Sequence, residues 1–432
     1  MSNSESTTPD ILNELENLDE LENLDQLQKL QEPENLNETL EFPAEGLPDV
    51  VDTNEKLIEV CKRLDLGSGP IAVDAERANS FRYTARAYLV QLRRQNAGTF
   101  LIDPIAITDF SHLSKTVAKV EWILHAATQD LACLSDLGLK PTKLFDTEHA
   151  GRLLGRPRVG LQALLESEMN ISLAKEHSAA DWSTRPLPEP WLIYAALDVE
   201  KLIELREILL ADLIAKDRLH WAEQDFANIV NWQPAKPLAE PWRKTSGIHK
   251  VRQPRQLAII RELWIERDRL AKEKDKSVSK VLSDAAIIDI SKLELKSARD
   301  VYMLESLRNR SHKANADLWW EVRQHALSLK ENELPNPNSG LNSIPPTKSW
   351  EEKNPDAFIR FSKVRPAVLD MAENLGIAPE ILISPESIRQ LCWSGFENIS
   401  DETQLSDWLL GQGARPWQSQ LITADLYKLL FN

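Results

Sequence analysis

At 432 residues the chain is too long for one ordinary core and is expected to form two to four domains; its net charge of −16 by itself argues against a nucleic-acid partner. Its three cysteines, Cys61, Cys133 and Cys392, lie far apart with no CxxC spacing, which argues against a disulfide framework or a zinc site and fits a reducing, cytoplasmic setting. No apolar run of about 18 residues occurs and the N-terminus is acidic, so neither a membrane span nor a signal peptide is expected.

Residues 1–48 are rich in Glu, Asn and Asp, with leucines every third position from Leu12 to Leu30. A period of three drifts around a 3.6-residue helix, so these leucines form no stable stripe and the segment reads as an acidic disordered tail, or alternatively as a leucine-anchored docking peptide. Residues 1–49 hold 14 acids against the single Lys29, so most of the net charge sits there and the remainder is close to neutral. The charge of the tail therefore does not decide what the folded part binds.

From Ala72 the pattern becomes short apolar runs separated by helical stretches, which predicts an α/β domain over 49–236. Ile71-Ala72-Val73, Tyr88–Leu92, Thr99–Asp103 and Trp122–His125 read as strands. Helices are expected over Gln129–Leu137 and Leu161–Met169, and a long one starting near Pro190, where proline suits the first turn. Beyond Pro237 strand signals fade. Residues 249–331 read as one helical unit, 332–350 as a Pro/Asn/Ser linker, and 351–432 as a second helical unit. Ser277–Leu282 and Gly376–Leu382 occupy similar places in the two units, which suggests an internal repeat.

Three pairs of residues carry possible chemistry. Asp74 and Glu76 flank Ala75 on a strand, and residues two apart share a face, so the two carboxylates lie side by side. Such a pair repels itself unless a cation intervenes, and hard oxygen ligands suit Mg²⁺ or Mn²⁺; a solvated turn would produce the same Asp-x-Glu. Asp130, five residues after His125, falls at a strand-to-helix junction, where a carboxylate also makes a simple favourable contact with the helix dipole. Tyr194 and Asp198 are four apart in a helix and share a face within apolar surroundings. That burial calls for a metal or cation at Asp198, or for a structural salt bridge.

In this order, Asp-x-Glu, His-x₄-Asp and Tyr-x₃-Asp resemble the DEDDy group of 3′-to-5′ exonucleases. His125-Ala126-Ala127-Thr128-Gln129-Asp130-Leu131, and Asp181-Trp182-Ser183-Thr184-Arg185-Pro186-Leu187 before Tyr194–Val199, are similar to the second and third motifs of the ribonuclease D family. Residues 249–331 resemble an HRDC domain, the helicase-and-ribonuclease-D C-terminal module, and 351–432 a second, divergent one. The resemblance implies a ribonuclease H-like exonuclease domain followed by two all-α HRDC-like domains. It also implies two divalent ions, Mg²⁺ or Mn²⁺, held by Asp74, Glu76, Asp130 and Asp198, with Tyr194 orienting the attacking water.

On this resemblance the expected activity is release of 5′-mononucleotides from RNA 3′ ends, with tRNA precursors as the implied substrates. His125, Lys175 and Arg185 lie near the motifs and are candidate contacts to the terminal phosphate or sugar, or else structural residues. Twelve Lys/Arg against five acids between Arg243 and Lys280 add support for a nucleic-acid partner, although a solvated helix face has the same look. Trp393, Trp408 and Trp417 are read as core. Two alternatives stay open: a repair exonuclease acting on DNA with the same carboxylates, and a nucleic-acid-binding adaptor without catalysis.

Overall fold

The computed structural model describes residues 38–173, 180–233, 238–307, 310–337, 344–394 and 399–431. Its first part is a six-stranded sheet with helices on both faces. The strands of the described residues are β1 (Glu38–Leu40), β2 (Val50–Val51), β3 (Ser68–Arg77), β4 (Ala87–Gln95), β5 (Gly98–Ile102), β6 (Trp122–Leu124), β7 (Leu144–Asp146) and β8 (Ile171–Leu173); β1 and β8 pair with each other apart from the other six. The sheet order is β2-β5-β4-β3-β6-β7, and β4 alone runs antiparallel to the rest. Because helices cover both faces, the central strands bury consecutive residues: Ile71, Ala72 and Val73 of β3 are all fully enclosed. The β5-β4-β3-β6-β7 core is the ribonuclease H-like layout expected from the motifs.

Two boundaries move. The tail expected to be disordered through residue 48 is structured from Glu38, because β1 pairs in parallel with β8 across more than 130 residues, a partner no local pattern reveals. Residues 1–37, with their leucine period, lie outside the described residues. The first helical unit likewise starts before 249, since Trp242 is buried in its core.

The two helical units repeat one succession of elements. Pro254–Glu273, Val278–Val281 and Asp284–Lys292 have lengths of 20, 4 and 9 residues, and Pro355–Leu375, Pro379–Leu382 and Pro385–Trp393 have lengths of 21, 4 and 9. In each, the nine-residue helix is capped by a serine, Ser283 or Ser384, whose hydroxyl accepts a backbone N–H.

The units attach to the α/β domain differently. The second shares one continuous apolar core with it. Trp417 stacks on Trp221 with ring centroids 4.6 Å apart, and buried Asp225 is held by His149 and Arg415, each at 2.8 Å. Gly155, at φ +74°, lies so close to Gly376 that an added Cβ would stand 1.8 Å from the Gly376 carbonyl oxygen. The first unit keeps its own core, and its attachment centres on the loop between β3 and β4, through Tyr83.

Candidate active site

Asp74 and Glu76 project from β3, which continues past them to Arg77 instead of ending there. The helix Glu189–Glu200 crosses the same face of the sheet and contributes Tyr194 and Asp198 one turn apart. Its start follows from sequence: Pro188 precedes it in extended conformation, Pro190 lies in the first turn, and Glu189 meets the positive end of the helix dipole. Carboxylate oxygens of Asp74, Glu76 and Asp198 lie within 4.8 Å of one another. They border a cavity of about 430 Å³ that Asp130, His125, Phe81 and Tyr194 also line. A neighbouring cavity shares Leu161, Tyr194 and Asp198 with it and is lined also by Arg158.

Asp130 is presented by an irregular turn. Ala126 adopts a left-handed conformation, φ 59°, which costs a non-glycine residue about 1–2 kcal/mol. The Asp146 carboxylate offsets this by accepting the N–H groups of Ala126 at 3.1 Å and Ala127 at 2.8 Å. Sequence reasoning missed Asp146, although its position at the end of β7 ahead of a helix is a capping signal: it accepts the His149 N–H.

Arg77 was also missed. Strict alternation would send it to the face opposite Glu76, but the strand register shifts between Glu76 and Arg77, and the guanidinium reaches Asp130 at 3.4 Å. Asp130 is thus ion-paired beside the three-carboxylate group.

Burial dominates the electrostatics of the site, and crowding of like charges adds to it. Burial, then Asp74, Asp198 and Asp130, push the Glu76 carboxyl up to about 10. Burial and then Asp74 push Asp130 up to about 8, with Arg77 working against the rise. Asp74 is raised chiefly by burial. Such groups hold protons unless a cation replaces them, so the donor set fits hard divalent ions. Tyr194 donates its hydroxyl to Asp198, and burial followed by the neighbouring carboxylates raises its pKa far above the ordinary phenol value. Its ring is set by Trp182, which is fully buried with its centroid 6.3 Å away.

The three candidate contacts separate. His125 lines the cavity, and its Nδ1 lies 2.9 Å from the Thr147 hydroxyl, which itself donates to the Leu124 carbonyl at 3.2 Å. Thr147 has spent its proton, so Nδ1 donates and Nε2 of the neutral ring carries a lone pair. Burial lowers the His125 pKa and favours that neutral form. Arg185 is not among the cavity's lining residues: its guanidinium holds Asp103 through two bonds of 2.7 and 2.8 Å and donates to the carbonyls of Trp182, Thr184 and Tyr88. Lys175 lies outside the described residues.

Comparisons with known proteins find the same domain types in the same order. Residues 48–214 match the family model described as a 3′-5′ exonuclease, 256–322 the HRDC domain, and 343–430 a 3′ to 5′ exonuclease C-terminal domain. The last unit, which repeats the helix succession of the HRDC unit, matches a model of its own. The chain is 27% identical to ribonuclease D of Jannaschia sp. over 406 residues, covering 89% of this chain and 95% of that protein. Among solved structures, a protein from Bifidobacterium adolescentis superposes with a TM-score of 0.84 at 36% identity, covering 92% of this chain and 100% of that one. The Escherichia coli RNase D structure, titled as an exoribonuclease involved in structured RNA processing, gives a TM-score of 0.64 at 26% identity, covering 88% and 98%.

Proposed function

This chain belongs to the ribonuclease D family, and we propose that it is a 3′-to-5′ exoribonuclease that hydrolyses RNA 3′ ends to 5′-mononucleotides, with tRNA precursors as the natural substrate class. The observation that carries this is the convergence of Asp74, Glu76 and Asp198 to within 4.8 Å beneath Tyr194, with Asp130 on the same cavity wall. Two Mg²⁺ or Mn²⁺ ions bound there would lower the pKa of a water and stabilise the departing 3′-oxygen.

The protein's own groups do the rest. Asp74, Glu76 and Asp198 would hold one ion position, and Asp74 with Asp130 the other, the Arg77 contact being to one oxygen of Asp130 only. Tyr194 donates its one proton to Asp198, so what it offers the attacking water is an acceptor lone pair that orients it, and the ions would carry most of the activation. The lone pair on His125 Nε2 suits a hydroxyl of the terminal ribose better than a phosphate oxygen, which offers only lone pairs. Three buried free thiols and the absence, among the described residues, of a helix able to cross a membrane are compatible with a cytoplasmic setting.

The test is incubation with matched 5′-labelled RNA and DNA, with Mg²⁺ or Mn²⁺ and with chelator, beside Asp74→Asn. Metal-dependent RNA ladders that shorten from the 3′ end and vanish in the variant are expected. Preference for DNA would replace the ribonuclease reading with the repair exonuclease, and binding without cleavage under either metal would leave the adaptor.

A further inference from the structure

The wall of the catalytic cavity is also the surface on which the HRDC unit rests. Ala78, Asn79, Ser80 and Phe81, directly after the β3 carboxylates, line the cavity, and the HRDC unit clasps the same loop from behind. Ser277 donates its N–H to the Phe81 carbonyl at 3.2 Å and its hydroxyl to the Ser80 carbonyl at 3.0 Å. Tyr83 donates its hydroxyl to Asp268 at 3.0 Å and its N–H to Asp275 at 3.3 Å. Beside these bonds the exposed Lys280 places its ammonium 3.7 Å from the centroid of the half-buried Phe81 ring.

The charge pattern gives this contact a direction. The cavity floor is acidic, so a polyanionic strand needs cations along its approach, beyond the ions at the floor. Lys280 holds its ammonium against an aromatic ring that itself borders the cavity. An aromatic face beside a cation is the pairing that single-stranded nucleic acid uses, base on ring and phosphate on ammonium. We propose that Phe81 and Lys280 form a composite subsite, shared between the exonuclease domain and the HRDC unit, for a nucleotide upstream of the scissile bond: Phe81 stacks its base and Lys280 meets its phosphate. The subsite rests on the exoribonuclease reading, because it needs an RNA strand leading into the carboxylates.

Its test measures binding of a 5′-fluorescein-labelled 12-nucleotide single-stranded RNA to the full chain carrying Asp74→Asn, over a range of KCl concentrations. Adding Lys280→Gln should flatten the slope of log affinity against log salt by about 0.7, the value for one lost phosphate contact on a single strand. Lys280→Arg should keep the slope, and Lys296→Gln, an exposed lysine elsewhere on the HRDC unit, should leave it unchanged. Phe81→Leu should weaken binding about tenfold with the slope preserved, and Phe81→Tyr should restore affinity. An unaltered slope in Lys280→Gln, or equal affinity of the Phe81→Leu and Phe81→Tyr proteins, overturns the subsite. If the unsubstituted protein trims RNA while either result is obtained, the subsite fails alone; if it neither binds nor trims RNA, the exoribonuclease reading fails with it.

Discussion

Replacing Glu76 by Gln in the metal-free protein should make it more stable at pH 8 while abolishing activity. Glu76 is pushed from an ordinary value of 4.5 up to about 10 by burial and by Asp74, Asp198 and Asp130. Between those two values the folded state holds a proton that the unfolded chain has released, so stability falls as pH rises through the window. From 4.5 to pH 8 is about 3.5 pH units, and at about 1.4 kcal/mol per unit the ceiling is about 5 kcal/mol. The field is shared with Asp74 and Asp130, which relax in part, so a gain of about 2 kcal/mol is expected for the variant. Urea unfolding with EDTA at intervals from pH 5 to pH 9 measures it. The two proteins should match near pH 5 and diverge as pH rises, with a shallower decline in Glu76→Gln, since Asp130 at about 8 still contributes. Saturating Mn²⁺ should reverse the order, because the ion stabilises only the protein that keeps all its ligands. Wild-type stability that is flat from pH 5 to pH 9, or a variant no more stable at pH 8, would refute the reasoning.

Tyr194→Phe should lower kcat about 100-fold, the scale of losing one well-placed hydrogen bond at the reacting groups. Because the phenol is held above its ordinary pKa, wild-type kcat should show no limb from its ionisation up to pH 10; such a limb, absent in the variant, would make Tyr194 the base. Gly155→Ala should destabilise by about 3 kcal/mol or more, since the new methyl meets the Gly376 carbonyl at 1.8 Å and the residue sits at φ +74°; a loss under about 0.5 kcal/mol in urea unfolding would mean the two glycines are not packed as described. Arg415→Ala strips one partner from buried Asp225 and should cost about 3 kcal/mol, seen as early loss of the C-terminal unit in hydrogen exchange, and protection equal to wild type would contradict it.

The candidate metal-holding carboxylates were legible because each rides on a short element whose period is local. Asp74 and Glu76 share a face by strand alternation, Tyr194 and Asp198 by helical spacing, and Leu161–Met169 is a helix over the very residues its pattern marks. Order along the chain was enough to propose that these pieces meet. What they meet was decided elsewhere. The register shift that turns Arg77 towards Asp130, the Asp146 carboxylate that holds the turn before Asp130, and the commitment of Arg185 to Asp103 depend on partners up to 82 residues away. The same holds for β1, whose partner strand is β8, and for Asp225, whose charge is balanced by Arg415 from the last unit. Local periodicity says which way a side chain points from its own backbone; it carries no information on which distant backbone arrives opposite, and that arrival sets burial, pairing and the protonation of every carboxylate in the site.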